Sequence, residues 1–454
     1  MKGLLFLYII FTAIVSLMSY KKGIYLIWLT FLFVPTIILE QSIIRNISLE
    51  TILMLGSVIS ELRYSERRNL WKQFVSENQK AIIVYFFISF AIILMSQTVP
   101  ISTQIKQLFG EIVMLLFALQ TFMLVKNEIQ TSSVLFRILS VAIVFNVVYC
   151  VIFEVLMGMN PAGMPLYILM GVDDNQFIVD MIELERGNLS FRAQTVYRHP
   201  LSLGQYMLVM LPLFMTKGKR VIHFALLFFA CGLIVLSGSR GAIVPMVLIL
   251  LLSARNYMGN FIPKFVVLII ACVVGVSFLS DLQKKKLEQK IEPLVAGMQF
   301  WDDSKQYSNN ISGSSMQMRI DQFDAALDEI EENPIFGRGY GYRDYWMYLH
   351  NDLHPKLLGF ESVLLLYLVE RGWLGLLFFF IMAFYIFKLL SEDTSDEATM
   401  KYVFIGYIIS IIMTGVRPLT LLFVCLTCSI AYGLAVRQEE QQSDVPELQE
   451  PEIV

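Results

Sequence analysis

Apolar runs long enough to cross a bilayer recur from one end of this chain to the other. A spanning helix needs about 20 mostly apolar residues, with a usable range of about 17 to 25. Candidate runs fall at 3–19, 23–39, 80–96, 108–125, 134–157, 201–216, 221–237, 241–253, 262–280, 372–390, 401–416 and 418–436. Two further segments are ambiguous. Segment 43–62 is only moderately apolar and carries Arg45, Glu50 and Glu61, and segment 357–370 is short and ends in Glu370 and Arg371. Composition agrees with lipid as the main solvent. The chain is 56% hydrophobic and 16% charged with a mean hydropathy of +0.63, against about half apolar and a quarter charged for soluble proteins. The predicted fold class is an all-α polytopic membrane protein with about 12 (12–13) transmembrane helices. The first run follows Lys2 and has no small-residue cleavage site after it, so it is expected to remain as a signal anchor.

Charge in the loops orients the spans, because Lys and Arg collect on the cytoplasmic side of short loops. Arg63, Arg67, Arg68, Lys72 and Lys80 fall in one loop, Lys217-Gly-Lys-Arg220 in another, and Arg255 with Lys264 flank a third. Following the spans through, all three lie on one face, taken as inside, and loops 97–107, 159–199 and 281–357 lie outside. Lys388, Lys401 and Arg437 join the inner face if 357–370 is re-entrant or surface-lying rather than spanning. If 43–62 does not cross, the N-terminus is inside; if it crosses, the N-terminus is outside, which Lys21 and Lys22 favour. The chain divides into N-terminal helices at 1–158, an extracytoplasmic loop at 159–200 and central helices at 201–280. A large extracytoplasmic loop with an amphipathic helix and a re-entrant segment follows at 281–371, then C-terminal helices at 372–437 and an acidic cytoplasmic tail at 438–454. In the large loop, Met316, Ile320, Phe323, Leu327 and Ile330 recur at helical spacing. Ser314 and Gln317 suit a capping box, and Asn333-Pro334 ends the helix.

Several function classes are excluded at this stage. A net charge of −3 with no basic stripe gives no case for nucleic acid. The 5 cysteines lie in apolar runs, and Cys425-x-x-Cys428 has no second pair, so buried thiols fit better than a disulfide framework, a redox centre or zinc. There is no P-loop pattern, and no Asp-x-Asp-type pair in an outer loop apart from the adjacent Asp173-Asp174 and Asp302-Asp303, so a metal-nucleotide donor is not signalled.

Ionisable residues at membrane depth are costly and mark sites by default. Arg240 follows Ser237-Gly238-Ser239 between two apolar runs; the plain alternative is a snorkelling interfacial arginine. Arg192, Arg198 and His199 crowd the start of the span after Pro200, where guanidinium forks suit phosphate, or an anchor belt. Glu361 lies in the segment suspected of being re-entrant, where desolvation would raise its pKa towards the range of a general base; pairing with an arginine is the structural alternative. His350 and His354 are spaced i, i+4, but Pro355 follows and no Glu-x-x-His context is present, so no metal site is expected. Arginines around a carboxylate at an outer membrane face suit a lipid-linked diphosphate: the arginines stabilise charge on the leaving diphosphate and the carboxylate or a histidine activates an attacking hydroxyl.

These residues resemble the O-antigen ligase and polymerase superfamily of bacterial membrane proteins, over roughly 190–390. Ser237-Gly-Ser-Arg240-Gly241 resembles its S-x-S-R-G. Arg192 with Pro200 resembles its R-x-x-G-x-F-x-N-P, with Thr195 in place of the Gly and His199 in place of the Asn. Arg319 and Asn333-Pro-Ile-Phe-Gly337-Arg-Gly339 resemble its R…N-P-L-F-G-x-G block, and Glu370-Arg-Gly372-Trp-Leu-Gly375 its E-x-G-x-x-G turn. The resemblance implies a GT-C-like, metal-independent, inverting glycosyltransferase with no cofactor. Its donor would be an undecaprenyl-diphosphate-linked glycan, used at the periplasmic face of the bacterial inner membrane. Its acceptor would be a lipid-linked repeat unit or lipid A-core. Arg192 and Arg240 are the positions implied to grip the diphosphate, with Arg198 and Arg338 as further candidates. The ligase pattern has His-Asn at a fixed distance before the E-x-G glutamate, and that register here holds Glu361-Ser362. Glu361, His354 and His350 are therefore the candidate bases, and the departure fits the polymerase branch. The expected function is a polymerase of oligosaccharide repeat units. A ligase is the nearer alternative, and a transporter or flippase of lipid-linked glycans the more distant one. A transporter should show repeated halves, and none is visible in the sequence.

Overall fold

The computed structural model describes residues 2–40, 42–44, 47–157, 160–163, 192–216, 221–253, 316–350, 362–391, 397–413 and 419–443. The predicted span 262–280 and the end of the acidic tail lie outside them. Apart from one short antiparallel hairpin, β1 (Ser42–Ile44) with β2 (Ile47–Ser48), the described elements are helical. In the N-terminal part these are α1 (Lys2–Met18), α2 (Tyr20–Phe33), α3 (Thr36–Leu39), α4 (Leu49–Glu61), α5 (Ser65–Glu77), α6 (Gln79–Met95), α7 (Ile101–Asn127) and α8 (Gln130–Tyr149). The last runs on as a π-helix, Cys150–Met157. After the first gap come α9 (Pro200–Thr216), α10 (Val221–Leu236) and α11 (Arg240–Ser253). The remainder is α12 (Met316–Ile330), α13 (Tyr342–His350), α14 (Val363–Ser391), α15 (Glu397–Met413) and α16 (Leu419–Ser443).

Among the described residues, four helices are long and apolar enough to cross a membrane: Ile101–Asn127, Gln130–Met157, Val363–Lys388 and Thr420–Arg437. A fifth is added if α5 and α6, bent by 74° at Asn78, count as one span. α1, α9, α10, α11 and α15 are shorter apolar helices. The molecule is an all-α membrane protein. Its core is built around α9, whose residues from Leu203 to Phe214 are buried on every face. A helix that is apolar all round has no face to offer water, and α9 is enclosed by α10, α15 and α16.

Polar side chains gather at the two ends of the bundle. At the first, Tyr20 donates to Glu128 (3.2 Å) and Lys21 pairs with the same carboxylate. There Arg67 pairs with buried Glu61, which also accepts from Trp71 Nε1 (3.0 Å), and the Arg67 guanidinium lies 5.2 Å from the Tyr20 ring. Tyr385 donates to Asn78, and Arg437 to Ser133 (2.6 Å). Of the segments assigned inside by their charge, 61–80 and Arg437 lie at this end; 217–220 and the turn between Arg255 and Lys264 lie outside the described residues. At the other end, Thr36 N–H donates to Val196 O (2.9 Å) and Ser96 Oγ to Phe336 O (3.1 Å). Loops from 36–40, 96–104, 192–199, 237–240 and 333–341 converge there.

Of the apolar face predicted for α12, Ile330 is buried and Leu327 packs against the same cluster, but Phe323 is 43% exposed and Gln322, Ala325 and Ala326 are buried instead. The two alanines let α12 approach the first half of α14 closely, which a larger pair would prevent. The described part of 357–370 runs into 372–390 as one element, α14, but not a straight one. Gly372 breaks it with φ 62° and ψ −168°. The rings of Tyr367 and Phe379 on either side come within 4.7 Å, although a straight helix would set residues that far apart in sequence about 18 Å apart along its axis.

Candidate active site

The segment before α9 carries the first group of site residues. Arg192 donates from Nε to Ser237 O (2.9 Å) and from Nη2 to Gly238 O (3.3 Å). The next residue, Ala193, donates its N–H to Leu236 O (2.9 Å). The sequence-predicted pair Arg192 and Arg240 is therefore brought to one turn, where α9, α10 and α11 meet. That turn is tight because Gly238 takes φ 60°. It sits hard against α9: a Cβ on Gly204 would lie 2.8 Å from Ser237 Oγ and 3.1 Å from Ser239 Cβ.

The segment itself is fixed from below by a buried polar network on α8 and the π-helix. Glu154 Oε1 accepts from Gln194 N–H (3.1 Å), Thr195 N–H (2.9 Å) and Asn160 Nδ2 (2.8 Å). Thr195 Oγ1 donates to Asn146 (2.5 Å), and Asn160 Nδ2 also reaches Thr195 O (3.0 Å). Thr195 has φ 50°, the left-handed region, and it stands where the resembled motif has glycine.

The second group joins two sequence blocks into one unit. The break at Gly372 exposes the last carbonyls of one half-helix and the first N–H groups of the next. The segment Asn333–Gly339 satisfies both. Arg338 N–H donates to Val369 O and Gly339 N–H to Glu370 O, each at 2.8 Å. In return Trp373 N–H donates to Pro334 O (2.9 Å) and Leu374 N–H to Ile335 O (3.1 Å). Beneath this lacing, Arg371 pairs with Glu111 of α7 and stacks 3.9 Å from the centre of the Tyr367 ring and 4.3 Å from that of Tyr340.

The remaining candidates are distributed as follows. Arg198 pairs with Glu40 (2.7 Å) at the rim. Arg338 donates to Glu329 O and pairs with Glu332, so it fastens the loop to α12. His350 closes α13, with its ring 4.0 Å from Trp346 and Nδ1 2.9 Å from Trp346 O. Glu361, His354 and the side chain of Arg319 lie outside the described residues. α13 links the platform to the rim, since Arg343 feels both Glu370 and Glu40, the partner of Arg198. Burial works against the charge of Arg343, but Asp344 at 2.8 Å, Glu370 and Glu40 outweigh it, so its pKa is raised. The neighbouring Tyr342 hydroxyl is pushed up by burial and by its bond to Glu329 (2.7 Å), and stays a donor.

Glu111, Glu154 and Arg371 are among the residues of these networks absent from the sequence-derived candidates. A signal for the first two exists, since each interrupts an apolar run with a carboxylate.

The fold and these two groups define a helical membrane protein with an arginine-bearing turn and a backbone-laced platform at one end of the bundle. Residues 225–380, which hold that turn and the platform, match the family model Wzy_C, O-Antigen ligase. That part of the chain is similar to the O-antigen ligase family. No curated protein matches it.

Proposed function

We propose that the chain is a glycosyltransferase of the polymerase type. It would join oligosaccharide repeat units carried on undecaprenyl diphosphate, at the periplasmic face of the bacterial inner membrane, within a GT-C-like frame of about 12 or 13 spans. The observation that carries the reading is the seating of Arg192 on the carbonyls of Ser237 and Gly238, two residues before Arg240. It brings the Arg192 guanidinium to the turn that carries Arg240, and guanidinium groups fork onto phosphate oxygens. In the transfer, an acceptor hydroxyl attacks the anomeric carbon, the bond from that carbon to the diphosphate oxygen breaks, and configuration inverts. Arg192 and Arg240 would stabilise the charge that develops on the departing diphosphate. The hydroxyl proton would pass to Glu361, with His354 or His350 as the alternative bases.

The ligase reading keeps a specific support, since the matched family model is described as O-antigen ligase. Against it stands Glu361-Ser362 in the register of the ligase His-Asn. Deletion separates the two: single repeats still attached to the core mean polymerase, and polymer accumulating on the carrier means ligase. For the site itself, Arg240→Ala should lower transfer on the order of 10²–10³-fold while the protein remains in the membrane. A wild-type ladder of chain lengths from that variant would overturn the assignment.

A further inference from the structure

A carboxylate buried among helices is expensive unless its oxygens are satisfied. Glu154 is 4% exposed and sits on the π-helix that extends α8. π-Turns inside helices are rare and concentrate at functional sites. Its Oε1 accepts three N–H donors, and two of them are the successive backbone amides of Gln194 and Thr195. Consecutive N–H groups that converge on one anion are how a backbone holds an acidic group, and here the anion is supplied by the chain itself.

That arrangement has a direction. Gln194 lies two residues from Arg192, whose guanidinium spans the carbonyls of Ser237 and Gly238. Between them Ala193 is bonded to Leu236 O. The left-handed backbone at Thr195 turns the chain so that the Arg192 side approaches the α10–α11 turn and the Tyr197 side packs into the core. An uncharged apolar residue at 154 would pack more cheaply but would leave both amides without an acceptor. We infer that Glu154 is a positioning residue for Arg192: it fixes the 192–196 segment so that the guanidinium meets the Ser237–Arg240 turn. The inference deepens the proposed function and rests on the reading of Arg192 as a diphosphate ligand.

The test uses the full chain in lipid nanodiscs, with Glu154→Ala, Glu154→Gln, Arg192→Ala and the double variant E154A/R192A. Hydrogen exchange is read first. E154A should speed exchange of the amides of 193–197 more than tenfold and leave those of α16 unchanged. E154Q, whose amide oxygen accepts the same bonds, should restore protection. Unchanged exchange in E154A overturns the inference. Kinetics with a lipid-linked repeat unit are read second. E154A should raise KM for the donor more than tenfold with a smaller fall in kcat, and the double variant should be no worse than R192A alone. Multiplicative losses in the double variant overturn the coupling to Arg192. If R192A is as active as wild type while E154A still loosens the segment, the diphosphate role of Arg192 fails and the anchoring by Glu154 stands. Should E154A not accumulate in membranes, Glu154→Asp takes its place, since it keeps the charge and withdraws it by one methylene. Native-like exchange in E154D would overturn the inference equally.

Discussion

Thr195 shows how much one backbone angle can demand. A β-branched residue at φ 50° is strained by about 1–2 kcal/mol, and such strain persists where surrounding bonds over-determine it. Here its N–H, its carbonyl oxygen and its hydroxyl are all engaged. Thr195→Val and Thr195→Gly both lose the hydroxyl bond to Asn146, but only the glycine relieves the strain. That relief exceeds glycine's entropic cost of roughly 0.5–1 kcal/mol, so T195G should unfold at the higher temperature of the two in detergent. Greater stability of T195V would remove strain from the account. At this scale the sequence was legible in part. The resembled motif brought Arg192 and Arg240 onto one candidate list, and the structure seats them at one turn. Arg198 and Arg338 read identically in sequence, as arginines beside a membrane, yet each has an acidic partner that no local pattern announces. Glu154 was hidden for a related reason: its backbone donors come from a segment some forty residues on.

Among the elements, the broken helix α14 and the loop that laces it form the structural hinge of the platform. The two glycines at their contact are not interchangeable with alanine. A Cβ on Gly372 would lie 2.3 Å from Ile335 O, and one on Gly337 would lie 2.6 Å from Val369 O. Both also take positive φ, 62° and 69°. Gly372→Ala and Gly337→Ala should therefore each cost at least about 2 kcal/mol, from backbone strain plus the clash, and should lower the yield of folded protein by size-exclusion chromatography. Gly110→Ala in α7 is the matched control, because nothing lies within 4 Å of the added Cβ and alanine favours helix by about 1 kcal/mol. Equal behaviour of all three variants would mean that the lacing does not hold the break. The two blocks 333–339 and 370–375 were each visible in the sequence. Their union was not, because backbone hydrogen bonds leave no signature in side-chain type.

At the scale of the molecule, the open question from sequence was whether 43–62 returns across the bundle. Apolar length could not decide it, since α4 has 13 residues and reaches only about 20 Å, short of a hydrocarbon core of about 30 Å. Contacts at the bundle ends decide the path. α2 departs from the basic end, where Tyr20 lies against Arg67 and Tyr64. The chain reaches the opposite end at Thr36, bonded to Val196, and turns there through the β1–β2 hairpin. α4 then comes back to the basic end, where Glu61 meets Arg67 and Trp71. The hairpin and α3 occupy the depth that α4 does not span. Since α1 runs into α2 at the basic end, its first residues lie at the opposite end, with the arginine-bearing turn. With the basic end taken as cytoplasmic, this path predicts an N-terminus in the periplasm, the reading that gives about 13 spans. A reporter active only in the periplasm should therefore be active when fused before Lys2 and silent when fused after Arg437. Silence at both positions would place the N-terminus inside, and 43–62 would then be a surface excursion instead of a return.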